Sequence, residues 1–159
     1  MPWRRWSDPE ADYGGCMSLE DDATSGAPLE ELDVEACRRL LAATVFGCLA
    51  VVDDGKPVII VLNHLVDGRD IIFRTTDDAL LSRLTDNDRA VHAAFEVDTA
   101  FPAGRSGSSV IATGLLAQEK DAKRLAAART RISAWADGER DTVLRMTVEH
   151  LTGRHVGPL

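Results

Sequence analysis

The stretch Phe46–Thr75, FGCLAVVDDGKPVIIVLNHLVDGRDIIFRT, decides the fold. It contains three runs of apolar and β-branched residues, separated by the polar segments 53–55 (DDG) and 67–70 (DGRD). Asp-Gly pairs between such runs are typical of tight hairpin turns. The pattern therefore predicts an antiparallel meander with strands at 46–52, 58–66 and 71–75. The middle run is nearly continuous in Ile, Val and Leu, so we expect both of its faces to be covered.

The flanking sequence adds helices and further strands. Before the meander, Asp33 is a plausible N-cap for a helix that reaches Thr44, with apolar residues at helical spacing. After it, the pattern predicts a short helix through Leu80–Leu84, strands at 90–97, 109–117 and 142–148, and a helix capped by Asp121. A Thr-Gly-Arg turn is expected near the end, at 152–154. Many short strands with few helices predict a mainly β fold with peripheral helices, a barrel or a sandwich.

The charge of the chain is concentrated at its N-terminus. Residues 1–31 hold eight acids and two bases, so they carry −6 of the net charge of −8. They also show no helical or strand periodicity and contain several Gly, Ser and Pro residues. Such a segment buries too little apolar area to offset the entropy lost on ordering. We therefore predict a disordered acidic tail at 1–31 and one folded domain at 32–159.

Composition argues against several classes of protein. An acidic tail and the lack of an evident basic stripe argue against nucleic-acid binding, which needs clustered Lys and Arg. No apolar run approaches the roughly 18 residues of a membrane span, and no secretory h-region follows Arg4 and Arg5, so we expect a cytoplasmic protein. Cys16, Cys37 and Cys48 are too widely spaced for a zinc site or a disulfide framework, and we expect no metal.

Residues that could perform chemistry give weak signals on their own. The four histidines have no metal-binding spacing, and neither a nucleophile elbow nor a Walker loop is present. The loop 104–109 (GRSGSS) is rich in donors and could hold a phosphate, although a plain strand connection is the more common role for such a loop. Arg74, Thr75 and Thr76 at a strand end also suit a phosphate, because they offer a planar cation and two hydroxyls.

The order of short motifs resembles that of a known family. The motifs are FGCLAVV (46–52), VLNHLVDG (61–68), IFRT (72–75), FEVD (95–98), SVIATG (109–114) and LTGR (151–154). Over residues 32–156 this order resembles the actinobacterial-type pyridoxamine 5′-phosphate oxidase-like flavoproteins, which are related to the nitroimidazole-reductase group. The resemblance implies a split β-barrel that forms a homodimer. It also implies FMN, or in some branches the deazaflavin F420, in a cleft between the subunits.

The resemblance also implies positions for the cofactor and leaves the catalytic residue unknown. The isoalloxazine would lie against Val61, Leu62 and Asn63, beside His64, and Asn63 would add a side-chain hydrogen bond. Arg74 and Thr75 would approach the phosphate, and Ser108 and Ser109 would flank the cofactor. Trp135 and Arg154 would close the site from the partner chain, although Trp135 could equally be a core aromatic of its helix.

Three departures from the family pattern leave the function open. A proline common in the family is absent at the 61–64 motif, Ser108 replaces a common tryptophan, and residues 78–80 (DAL) stand where a Gly-x-Lys often binds phosphate. Our first hypothesis is a flavin-dependent oxidoreductase of unknown small-molecule substrate. The alternative is a degenerate member without tight flavin binding, acting as a binding or stress-related protein. A third reading, haem ligation by His64, competes with a plain strand role for that residue.

Overall fold

The computed structural model describes residues 29–76, 80–101, 106–132 and 142–157. In these residues ten elements follow one another. They are β1 (Leu29–Glu31), α1 (Val34–Ala43), β2 (Phe46–Asp53), β3 (Lys56–Asp67), β4 (Asp70–Thr75), α2 (Leu80–Leu84), β5 (Val91–Phe101), β6 (Ser106–Gln118), α3 (Ala122–Arg131) and β7 (Thr142–Val156). Residues 1–28 of the predicted tail lie outside the described residues. The last three residues of the predicted tail segment, 29–31, form β1.

Six of the strands close into an antiparallel barrel. The order around it is β7-β4-β3-β2-β5-β6, and β6 then pairs with β7 along nearly its full length. The predicted meander is confirmed, since β2, β3 and β4 are consecutive neighbours in register. Gly55 adopts a φ of 73° in the first turn, a conformation that glycine takes without steric cost. The predicted split β-barrel with peripheral helices is thus the observed fold.

The barrel interior is filled by alternate residues of the strands. Leu49, Phe73, Phe95, Leu144 and Met146 are all fully buried there. The rings of Phe73 and Phe95 meet edge to face, with centroids 5.0 Å apart. Burial of each such side chain contributes roughly 1.5–3 kcal/mol relative to exposure. These side chains form the main core of the domain.

The two longer helices begin at the predicted caps. The Asp33 carboxylate accepts a hydrogen bond from the Ala36 N–H at 2.7 Å, and α1 packs Cys37 and Leu41 on the barrel. The Asp121 carboxylate accepts from two N–H groups of α3. This second helix packs on the outer side of β4, where Ala128 and Ile132 form a small separate cluster with Ile72 and Val143.

The C-terminal strand differs from the prediction. We expected a turn at residues 152–154, but β7 continues without interruption to Val156. The glycine that suggested a turn, Gly153, is needed for packing instead. A Cβ on Gly153 would lie 2.5 Å from Cys37 Sγ and 3.2 Å from two atoms of Leu32. Gly153 therefore allows the N-terminal part of the domain to pack closely on β7.

A group of charges joins α3 to the barrel. The Arg124 guanidinium lies 2.9 Å from Asp67, 3.1 Å from Asp70 and 3.3 Å from Glu119. Arg145 contacts Asp70 and Glu119 as well, at 3.6 and 3.2 Å. Burial alone would raise the pKa of Glu119, but two backbone N–H groups and the arginines lower it overall. Asp67 and Asp70 are thus already neutralised by arginines of α3 and β7.

Candidate functional site

The barrel is split along one edge of β3. This strand pairs with β4 only over residues 64–67, while its first half, 56–63, pairs with β2 alone among the described residues. The His64 N–H donates to the Val45 carbonyl of the adjoining segment at 3.1 Å. Because backbone groups alternate along an antiparallel strand, Ile59 and Val61 direct their N–H and C=O groups away from β2. As far as residues 29–76, 80–101, 106–132 and 142–157 show, their side of β3 is an open row of donors and acceptors.

Asn63 and Arg74 lie at the end of this open edge. Asn63 comes just before His64, and Arg74 comes just after Phe73, the residue that pairs with His64. The side chains of Asn63 and Arg74 both lie on the outer face of the sheet. The Arg74 guanidinium donates to the carbonyls of Arg129 and Ile132, at 3.3 and 3.2 Å. Arg74 therefore binds the C-terminal end of α3, where carbonyls lack helical partners. Val61, Asn63 and Arg74 are the predicted residues that the structure brings together here.

Three other predicted site residues point into the barrel. Leu62, His64 and Thr75 are 8%, 8% and 4% exposed. His64 Nε2 lies 2.8 Å from the Leu41 carbonyl, and the ring packs edge-on against Phe95 at 4.8 Å between centroids. Burial lowers the pKa of His64, although the bond to Leu41 opposes this. His64 Nε2 is occupied by the Leu41 carbonyl, and haem ligation by this residue stays a hypothesis. The side chains of these residues thus lie inside the barrel, and their predicted contact with a cofactor stays a prediction.

Ser108, Ser109 and Arg154 form a second group on β6 and β7. Ser109 is the cross-strand partner of Arg154, and both side chains lie on the outer face. They line a groove of about 390 Å³ with Glu31, Ile111 and Thr152 among its other walls. Ser108 points the other way, and its hydroxyl lies 2.8 Å from His155 Nδ1. A guanidinium and hydroxyls in one groove suit an anionic ligand group.

The two groups are far apart within one chain. The register places Val61, Cys48, Glu96, Ile111 and Thr152 in one row across five neighbouring strands. With about 4.8 Å between strands, the open edge of β3 and the groove on β7 are separated by roughly 15–20 Å. One protomer therefore does not join all the predicted cofactor residues into a single site.

The surface between the two groups is largely apolar. We call it the outer face; its large exposed side chains are Phe46, Ile59, Val61 and Ile111, which are 51%, 68%, 63% and 44% exposed. Glu96 lies in its middle, and burial followed by repulsion from Asp98 raises the pKa of this carboxyl. Large exposed apolar side chains that share one face of a sheet are typical of an interaction surface.

Parts of the predicted site lie outside the described residues. Trp135, Asp77 and Asp78 belong to the segments that the structure does not describe, so their predicted roles stay predictions. In the described ranges no group of three or more His, Cys, Asp and Glu side chains could hold a metal ion. None of the helices described is both long and apolar enough to cross a bilayer.

Sequence reasoning missed the basic character of α3. Residues 120–132 hold five bases and one acid in a chain whose net charge is −8. The signal was present, but the acidic tail dominated the overall charge. A count in windows of about one helix length would have found it. The bond of Arg74 to α3 was also missed, because no local pattern tells which helix end an arginine reaches.

Comparison with known proteins identifies the family of the chain. A family model described as pyridoxamine 5′-phosphate oxidase matches residues 33–155. The chain belongs to the pyridoxamine 5′-phosphate oxidase family. A relative from Mycobacterium tuberculosis, the uncharacterized protein Rv0080, is 34% identical over 132 residues, which cover 81% of this chain and 86% of the relative.

Solved structures of the same fold include two flavoproteins. The FAD-binding protein from Mycobacterium smegmatis is 25% identical, with a TM-score of 0.65 over 80% of this chain and 98% of that one. An FAD-binding protein from Mesorhizobium loti is 19% identical, with a TM-score of 0.66 over 81% and 99% of the two chains, and it shows the shared fold. Proteins with a fold similar to this barrel thus include two that are described as FAD-binding.

Proposed function

We propose that this protein is a flavin-dependent oxidoreductase that acts on a small molecule. The observation that carries the proposal is the open edge of β3, where the backbone groups of Ile59 and Val61 face away from β2 and pair with no other strand in the described part of a barrel of the pyridoxamine 5′-phosphate oxidase family. The polar edge of an isoalloxazine is a planar row of donors and acceptors that such an edge complements. The FAD-binding protein of the same fold from Mycobacterium smegmatis supports it.

The chain would bind and orient the flavin rather than supply an acid or a base. The backbone of Val61 would meet the polar edge of the ring, and the Asn63 amide would add a hydrogen bond. When bound, the flavin would supply hydride transfer, which requires no catalytic side chain. The barrel core beneath β3 would keep water from one face of the ring. This accounts for the lack of a catalytic constellation in the sequence.

We further propose that the functional unit is a homodimer. The outer face exposes Phe46, Ile59 and Val61, and a second copy packed on it would bury them. Because the Ser109–Arg154 groove lies roughly 15–20 Å from the β3 edge of its own chain, a twofold arrangement would bring the groove of one subunit to the edge of the other. Each cofactor would then be held by Asn63 of one subunit and Arg154 of the partner subunit.

The first test is the visible spectrum of the purified protein, before and after titration with FMN, FAD and F420. We expect a bound flavin spectrum with one of these cofactors, and reduction by NADPH followed by transfer to a quinone or a nitroaromatic. A protein that stays colourless and changes the fluorescence of none of them would refute the proposal. That result would favour the alternative of a degenerate member, which the bonding of Arg74 to α3 also favours.

The shared site has a sharper test in mixed dimers. We expect tight flavin binding to be lost in the homodimer of Asn63→Leu and in the homodimer of Arg154→Gln. The control is Arg89→Gln, which removes the same charge as Arg154→Gln at an exposed position and should leave flavin binding intact. If the site combines two chains, mixing the two defective proteins creates heterodimers with one intact site and one doubly altered site. Flavin binding should return to about one site per heterodimer. No recovery after proven subunit exchange would place the site within one chain.

A further inference from the structure

A cavity of about 180 Å³ lies between α3 and the outer side of the β3–β4 hairpin. Leu65, Ile72 and Ala127 form its apolar floor. Lys123 and Arg131 lie at its rim on the same side of α3 as Ala127, because residues four apart are neighbours on a helix. The cavity therefore combines a small apolar surface with two cations on one side.

Among the described residues, no carboxylate forms an ion pair with either rim cation. Lys123 and Arg131 are both exposed. The one acid of the cavity, Asp67, is bound by Arg124 at 2.9 Å, and Arg124 itself is shared among three carboxylates. The charged residues that line the cavity sum to +2, and with Asp70, Glu119 and Arg145 of the adjoining charge group the sum is +1, in a protein of net charge −8.

Helix stability does not explain both cations. Arg131 is in the last turn of α3, where a cation interacts favourably with the helix dipole by roughly 0.3–1 kcal/mol. Lys123 is in the first turn, two residues after the N-cap Asp121, where a cation is unfavourable by a similar amount. Its position on the cavity rim suggests that a ligand selects it.

The cavity adjoins the proposed flavin edge. Leu65 follows Asn63 by two residues, which is about 7 Å along β3, and Ile72 precedes Arg74 by the same interval. Arg74 in turn holds the end of α3 that carries Arg131. A ligand that leaves the β3 edge past Asn63 and Arg74 would reach the basic cavity directly.

We propose that this cavity binds the anionic tail of an extended flavin cofactor. The inference rests on the proposed function and narrows it. FAD and F420 share the required chemistry, because each carries an anionic group beyond the first phosphate: the second phosphate in FAD, and the carboxylates that follow the single phosphodiester in F420. FMN ends at its single phosphate. Lys123 and Arg131 would bind the added anions, and Leu65 and Ile72 would contact the apolar parts of the tail.

The test compares riboflavin, FMN, FAD and F420 by fluorescence titration of the flavin-free protein. For the unchanged protein we expect either FAD or F420 to bind at least tenfold more tightly than FMN. The cofactor that shows this advantage is the one whose tail occupies the cavity. In the double variant Lys123→Gln/Arg131→Gln that advantage should fall at least tenfold, while the Kd for FMN changes less than twofold. The salt dependence of binding should also decrease.

A matched control removes the same charge elsewhere. Lys56→Gln/Arg89→Gln changes two exposed cations outside the cavity and should leave all four Kd values unaltered. If FAD and F420 bind no more tightly than FMN, or if the Lys123/Arg131 variant weakens every flavin equally, the proposal is wrong. An equal effect of the control variant would likewise overturn it, because the effect would then come from net charge.

Pyrophosphate separates failure of this inference from failure of the proposed function. Millimolar pyrophosphate should raise the Tm of the unchanged protein but not of Lys123→Gln/Arg131→Gln. If pyrophosphate stabilises the two proteins equally, the cavity is not an anion site and the inference fails whatever the flavin result. If pyrophosphate distinguishes them while all four flavins fail to bind, the flavin function fails and the assignment of the tail fails with it.

Discussion

Substitution of Gly153 by alanine tests the packing of β7 on α1. The added Cβ would lie 2.5 Å from Cys37 Sγ, whereas atoms in good contact are about 3.5–4.0 Å apart. One of the two must therefore move by more than 1 Å. Cys37 is 1% exposed and fixed on α1, so the strain cannot be relieved into solvent. Overpacking of this kind costs about 1–3 kcal/mol.

We expect the Tm of Gly153→Ala to fall by about 4–12 °C, taking about 4 °C per kcal/mol for a domain of this size. Urea unfolding should show the same loss in the free energy of unfolding. Cys37→Ala removes the clashing sulfur, so the double variant should be more stable than the sum of the single effects by about 1–2 kcal/mol. The pair Thr152→Ala and Cys37→Ala serves as control, because Thr152 is exposed on the opposite face. Additive effects for Gly153→Ala and Cys37→Ala would show that the clash is not the cause.

Three further predictions follow from the contacts described. Arg74→Ala should lower the free energy of unfolding by about 1–2 kcal/mol and increase amide exchange in the last turn of α3, whereas an unchanged exchange rate would contradict its bonding to that end. Because burial lowers the pKa of His64, the unfolded chain binds more protons below about pH 6.5, so stability should fall as the pH drops below that value. His64→Gln should flatten this dependence, and an equal slope in both proteins would exclude His64 as its source. Val61→Lys should give a monomer in sedimentation experiments while Val34→Lys, on α1, does not, and a dimer in both would move the interface elsewhere.

The part of the fold that sequence predicts best is the part governed by local chemistry. The β2–β4 meander follows from turn residues between apolar runs, and both long helices begin at Asp33 and Asp121 as expected. The prediction of a turn at residues 152–154 was wrong because a glycine can mark either a turn or a place where two segments pack closely. Gly153 resembles a turn residue in sequence, but its role depends on Cys37, which is distant along the chain.

Long-range features could not be predicted from one sequence. The three residues of β1 are all exposed and show no alternation, so only pairing with β7 makes them a strand. For the candidate site, the sequence places Val61 and Asn63 on the middle strand of the meander, and their contact with a cofactor stays a prediction. The inward direction of His64 and the separation of Arg154 from Asn63 depend on register, which becomes known only when the barrel is closed.

The central place of β7 affects how the nascent chain can fold on the ribosome. This strand pairs with β1, β4 and β6, yet it is the last of the seven to be synthesised. Until it emerges, β4 and β6 each lack a neighbour and the meander exposes its apolar surface. Pairing of residues so distant in sequence is slow, and exposed strand edges of this kind favour aggregation. The nascent chain should therefore need chaperone protection until translation of β7 is complete.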